Sequence, residues 1–129
     1  MKAKIVVADD EPHIRKMICR LLTDEGYEVM PAENGREAVE VFLSFQPDVV
    51  LLDQQMPQKS GLDFARELKN NPHDELKNIP IIMITVDTKE KTVLEAKILG
   101  IQEYLVKPIS PLALKKRICS ALGIKQERV

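Results

Sequence analysis

Cysteine is scarce in this chain. Its 129 residues include two, Cys19 and Cys119, each beside apolar helical positions and neither in a CxxC pair. That usage argues against a disulfide framework or a zinc site and fits buried free thiols in a reducing compartment. Charge of one sign is not in excess either. Nineteen Lys and Arg face twenty Asp and Glu, for a net charge of −1 and a pI near 6.1. This balance carries no basic footprint for nucleic acid. The only basic cluster, Lys115-Lys116-Arg117, reads as a solvated helix face near a C-terminus, where cations suit the helix dipole. No apolar run approaches the ~18 residues that a membrane span needs. The opening stretch MKAKIVVADD has no small-residue cleavage site and turns acidic too early for a secretory leader. Internal repeats, low-complexity tracts and linkers are also missing. The expectation is a cytoplasmic protein with no membrane contact.

What is present suits one domain with one core. The length is close to the commonest domain size. A chain this long buries roughly two thirds of its unfolded surface, and the 44% hydrophobic, 30% charged composition is ordinary for a globule. The spacing predicts strands over 4–8, 27–32, 80–85 and 102–106, and another at the continuous run Val49–Leu52. Such a run is what a parallel strand buried on both faces requires. Segment 27–32 is weaker and belongs at an edge, because Pro31 would break a central ladder.

Between these strands lie five helical patterns. The first starts at Pro12, carries Ile14, Met17, Ile18, Leu21 and Leu22 on one stripe and stops at Gly26. Asn34 caps the second, with Ala38, Val41, Phe42 and Phe45 inward, and Pro47 ends it. Ser60 opens the third, with Leu62, Ala65 and Leu68 inward. A fourth covers about 88–98 and ends at Gly100. Pro111 begins the fifth, with Leu114, Ile118, Ala121 and Leu122 inward and Gly123 closing it. Five strand–helix alternations with short connections predict an α/β fold, a parallel sheet covered on both faces. Residues 1–123 form the domain. Residues 124–129 read as a tail or the start of a linker.

In an open α/β sheet, ligands bind beyond the carboxyl ends of the strands. Here those ends carry Asp9-Asp10, Asp53, Thr85 and, after Tyr104, Lys107. If the first and third strands are neighbours, three carboxylates converge. Two like charges 4 Å apart repel by about 4 kcal/mol at an effective dielectric of 20. A hard dication removes that cost. Carboxylates, water and a backbone carbonyl suit Mg²⁺, with Mn²⁺ as an alternative, and no His or Cys lies at zinc spacing. His13 and His73 receive no role. Asp9-Asp10 as a mere helix cap, Thr85 as a locally bonded hydroxyl and Tyr104 as packing are the plainer alternatives.

ADDEPHIR, LLDQQMP, IIMIT and EYLVKP, in that order at four strand ends, resemble the receiver domain of two-component response regulators. The resemblance spans residues 4 to about 122. It implies a flavodoxin-like (βα)5 three-layer sandwich with strand order 2-1-3-4-5. It implies that Asp53 accepts a phosphoryl group from a sensor histidine kinase or phosphotransfer protein. Asp10, Asp53 and the Gln55 carbonyl would be metal ligands, with Asp9 acting through water. Lys107 would pair with Asp53 and then with the phosphoryl group, and Lys107-Pro108 would be a cis peptide. Thr85 and Tyr104 would switch. The fourth helix, fifth strand and fifth helix would form the output surface toward a downstream protein or effector domain, with a phosphorylation-dependent dimer open to it.

Gln54 stands where the family usually has an apolar residue, Val86 where it has Ala or Gly, and Ile101 where it often has Ala. Gln54, Gln55, Val86 and Asp87 are expected to tune phosphate lifetime. Competing functions are an excised receiver of a larger, perhaps DNA-binding regulator, a Mg²⁺-dependent phosphatase and a flavodoxin-type flavin binder. The last two fit poorly. The phosphatase would want a cap domain, which this chain does not show, and DDEPH would repel a flavin phosphate.

Overall fold

The computed structural model describes residues 3–72, 78–86, 89–101 and 103–123. Among these residues five strands alternate with five helices in chain order: β1 Lys4–Ala8, α1 Pro12–Asp24, β2 Glu28–Ala32, α2 Gly35–Phe45, β3 Val49–Asp53, α3 Gly61–Lys69, β4 Ile81–Thr85, α4 Glu90–Ile98, β5 Glu103–Val106 and α5 Pro111–Leu122. The strands form one sheet in the order β2-β1-β3-β4-β5, and every neighbouring pair is parallel.

This order explains the unbroken apolar runs. Successive strand residues point to opposite faces, and helices cover both. Val6, Ala8, Val50, Leu52 and Met83 pack with Phe42 of α2 and Phe64, Ala65 and Leu68 of α3. Ile5, Val7, Val49, Leu51, Ile82 and Ile84 pack on the other face with Ile18 and Leu22 of α1 and Leu114 and Ile118 of α5. Phe42 and Phe64 meet edge to face with centroids 5.8 Å apart. Only β2, at an edge, leaves much of its length exposed, and Pro31 is tolerated there.

The helix starts follow local chemistry. Asn34 accepts from the Glu37 N–H at 2.9 Å and Ser60 from the Asp63 N–H at 3.1 Å. Pro12 and Pro111 stand in first turns, where no N–H is missed.

Three details depart from expectation. Met17 sits at the rim of the α1 stripe and is exposed. Cys19 is half-buried, while Cys119 is buried; both are free thiols. The basic run of α5 lies in mid-helix, with no basic residue in the last turn. Its charges are spent instead on neighbouring elements, Lys115 on Glu25 at 3.5 Å and Arg117 on Glu103 at 3.1 Å. Asp87, His73 and residues 124–129 lie outside the described residues.

Candidate functional site

The sheet order reverses between β1 and β3, so the chain leaves these neighbours in opposite directions and opens a crevice at their carboxyl ends. Register then brings the acids together. Ala8 pairs with Leu52, which sets Asp9 beside Asp53. Asp53 pairs with Ile84, and Thr85 with Val106, so Thr85 and Lys107 complete the same rim. The Lys107 N–H donates to the Thr85 carbonyl at 2.9 Å. The Lys107-Pro108 peptide is cis, as the resemblance implied.

Asp53 is 2% exposed. One oxygen, Oδ1, accepts from the Gln55 N–H at 3.1 Å. The other, Oδ2, accepts from Lys107 Nζ at 3.1 Å. Burial, reinforced by the neighbouring Asp9 charge, pushes the Asp53 carboxyl up to about 6. The Gln55 N–H and Lys107 pull against that rise without cancelling it.

Lys107 lies among three carboxylates: Glu11 Oε1 at 2.8 Å, Asp9 Oδ2 at 3.1 Å and Asp53 Oδ2 at 3.1 Å. Burial alone would lower this ammonium, but bonds to the acids hold it above its ordinary range. Contact with Lys107 in turn lowers Glu11.

Asp9 is fully buried. Its Oδ1 accepts from the Glu11 N–H at 2.9 Å, and its carbonyl accepts from Arg15 at 2.7 Å. Its Oδ2 is at ion-pair distance from Lys107 but makes no aligned hydrogen bond. A buried carboxylate oxygen left in this way costs free energy unless something binds it. Carboxylate oxygens of Asp9, Asp10, Glu11 and Asp53 lie within 4.8 Å of one another. Four acids against one ammonium leave a surplus of negative charge, and the donor set is all oxygen. Both facts fit a hard divalent cation such as Mg²⁺.

Thr85 is fully buried at the end of β4. Tyr104 is half-buried and pairs in register with Met83. Met83 and Thr85 share one sheet face, so Tyr104 and Thr85 are diagonal neighbours on the α4 side. There Tyr104 lines a groove of about 280 Å³ with Val93, Ala96, Lys97 and Ile101.

Gln54 turns back to α3. Its side-chain Oε1 accepts from the Leu62 N–H at 2.8 Å, and its carbonyl accepts from the Gly61 N–H at 3.0 Å. Gln54 and Ser60 together cap α3. The helix start is drawn so close that a Cβ on Gly61 would stand 2.7 Å from the Asp53 carbonyl oxygen. Gln55 is exposed at the loop, and Val86 is 58% exposed.

Glu11 was the residue that sequence reasoning missed. Its one signal was its type. Glutamate is a poor choice immediately before a Pro-started helix, where Ser, Thr, Asp or Asn would cap.

A family model described as the response regulator receiver domain matches residues 5–119. The phosphate regulon transcriptional regulatory protein PhoB of Pseudomonas aeruginosa is 40% identical over 119 residues, covering 92% of this chain and 51% of PhoB. The CAI-1 autoinducer sensor kinase/phosphatase CqsS of Vibrio cholerae is 37% identical over 117 residues, 91% of this chain and 17% of CqsS. Among solved structures, the chemotaxis protein CheY4 of Vibrio cholerae superposes with a TM-score of 0.87 at 34% identity, covering 95% of this chain and 100% of CheY4. The chain thus spans about half the length of PhoB, or less of CqsS, and matches CheY4 end to end.

Proposed function

This chain belongs to the response regulator receiver family of two-component signalling, and we propose that Asp53 is the residue that receives the phosphoryl group. The donor is a phosphohistidine on a sensor histidine kinase or phosphotransfer protein. An Asp53 oxygen attacks phosphorus. The phosphorus–nitrogen bond breaks, its electron pair stays on the imidazole, and that nitrogen takes a proton from water. The product is an acyl phosphate, and residue 53 goes from −1 to −2.

The observation that carries this reading is the clamp on Asp53. Its Oδ1 is fixed by the Gln55 N–H and its Oδ2 by Lys107 Nζ, each at 3.1 Å, inside a buried acidic pocket. Phosphoryl transfer asks a protein mainly for positioning and charge stabilisation. Lys107 supplies a fixed positive charge where the new oxygens arrive. Thr85, at the same rim, supplies a hydroxyl. Asp10, Asp53 and the Gln55 carbonyl would hold Mg²⁺ or Mn²⁺ directly, with Asp9 through water. When bound, that ion offsets the surplus acid and the phosphoryl charge.

Movement of Thr85 toward the phosphoryl group draws on space beside Tyr104, its diagonal neighbour, and so reaches α4. Leu94 and Ile98 of α4, Val106 of β5 and Leu112 of α5 are exposed apolar side chains on the elements expected to carry output, Ile98 at 75%. They suit a downstream partner, an effector domain or a second copy after phosphorylation. Gln55, Val86 and Asp87 would adjust phosphate lifetime, Gln54 through the loop it ties down. The domain of residues 1–123 acts in the cytoplasm as a phosphoacceptor, without turnover of a separate substrate; no described helix is long and apolar enough to cross a membrane. A receiver feeding an attached effector is the second reading, favoured by the greater length of PhoB.

The test is incubation of the protein with acetyl phosphate and Mg²⁺. A one-phosphate mass gain is expected, absent without the metal and absent in Asp53→Asn. A gain that survives this substitution overturns the assignment.

A further inference from the structure

Resting on the receiver reading above, we propose that Glu11 is a positioning residue that holds Lys107 in the resting protein and competes with the phosphoryl group for it. Glu11 occupies the N-cap of α1, yet its carboxylate makes no capping bond. It reaches instead to Lys107, 96 residues further along the chain, at 2.8 Å. The backbone of the same residue is fixed in another way, since its N–H donates to Asp9 Oδ1 at 2.9 Å. Glu11 therefore has an anchored main chain and a side chain committed to the cation that also bonds Asp53.

The three carboxylates around Lys107 differ in their access to water. The side chains of Asp9 and Asp53 are 0% and 3% exposed, and that of Glu11 is 47% exposed. An ammonium has three hydrogens to donate. Two are spent, on Glu11 Oε1 at 2.8 Å and Asp53 Oδ2 at 3.1 Å, while Asp9 Oδ2 shares the charge at 3.1 Å without an aligned bond. An ammonium that turns from the Asp53 oxygen to follow a phosphoryl group loosens its hold on Asp9 or on Glu11. Displacing Asp9 would strand a buried charge, which is costly. Displacing Glu11 returns its carboxylate to solvent at little cost. Glu11 is thus the partner that leaves.

Two consequences of opposite sign follow for Glu11→Gln. Lys107 becomes more available to an anion, and the cation pocket loses one of its four acids. A residue that merely supported the fold would weaken both ligands together. The full chain is titrated with fluoroberyllate at saturating Mg²⁺, bound anion being counted by fluorine NMR, and with Mg²⁺ alone by calorimetry. Relative to wild type, Glu11→Gln is expected to bind fluoroberyllate about two- to fivefold more tightly and Mg²⁺ about two- to fivefold more weakly, the scale of one partly exposed charge contact. Glu11→Asp keeps the charge but is too short to reach Lys107. It is expected to match the Gln variant toward fluoroberyllate and wild type toward Mg²⁺. Wild-type uptake with no tightening in Glu11→Gln overturns this role alone. Failure of wild type to take up fluoroberyllate overturns the receiver reading itself.

Discussion

Replacing Asp53, the proposed acceptor, should make the metal-free protein more stable, and only above the acid range. Asp53 is buried beside Asp9, and its carboxyl ionises near 6, against an ordinary 3.8. A carboxyl raised in the folded state favours folding while protonated. That advantage is complete below 3.8 and is lost as pH climbs through about 6. At about 1.4 kcal/mol for each pH unit, the ionised acceptor costs about 3 kcal/mol of stability. The Lys107 and Gln55 contacts are already inside that figure. Asn keeps the shape, removes the charge and leaves Lys107 its Asp9 and Glu11 partners. Relaxation around an ionised group reduces the gain, so Asp53→Asn is expected to be about 1–3 kcal/mol more stable at pH 8. At pH 4 the two proteins should differ little. With a typical urea slope of about 1–3 kcal/mol per molar, the midpoints would separate by about 1 M at pH 8. Urea unfolding in chelator at both pH values measures this. Equal midpoints at pH 8, or a gap of the same size at pH 4, would show that the charge in the pocket is not what strains the fold.

Other perturbations probe the surrounding parts. Mg²⁺ should raise the unfolding free energy at pH 8, by about 2.7 kcal/mol at one hundred times its dissociation constant, and by less at pH 4, where the Asp53 carboxyl holds its proton; a pH-independent gain speaks against Asp53 as a ligand. Lys107→Met should cost about 3 kcal/mol at pH 8, because it leaves Asp9 and Asp53 buried without their cation, and less at pH 4; circular dichroism in urea reads both. Gln54→Leu should lose about 1 kcal/mol through the uncapped Leu62 N–H, while Gln54→Glu, which keeps the acceptor oxygen, should lose less. Gly35→Ala should destabilise by more than about 1 kcal/mol, since the new Cβ would stand 2.2 Å from the Lys59 carbonyl oxygen; a neutral outcome in thermal melts would mean that the loop yields freely.

The architecture was legible because strands and helices here obey their own periods. VVLL can be apolar throughout since β3 lies between two strands and beneath helices on both sides. Pro31 marked the edge, and Asn34, Ser60, Pro12 and Pro111 marked helix starts through chemistry confined to a few residues. The acids at strand ends could be placed together once β1 and β3 were taken as neighbours. Side-chain direction was not legible. Nothing in LLDQQMP says that the Gln54 amide turns back to α3. Glu11 gave little sign of its partner, because that contact crosses 96 residues and depends on where β5 ends. Lys115 and Arg117 were read by position in a helix, but acids on other elements decide their surroundings.

Helix α4 has one buried side chain among its nine residues, Ala96. By comparison, α3 buries four, Leu62, Phe64, Ala65 and Leu68, over the same length. So thin an attachment makes α4 the cheapest helix to detach while the sheet stays intact, and its amides should be the first helical ones to exchange with deuterium. A helix held by so little apolar contact is the one that the bond proposed at Thr85 could reset at modest cost, without disturbing the two cores that hold the rest of the molecule.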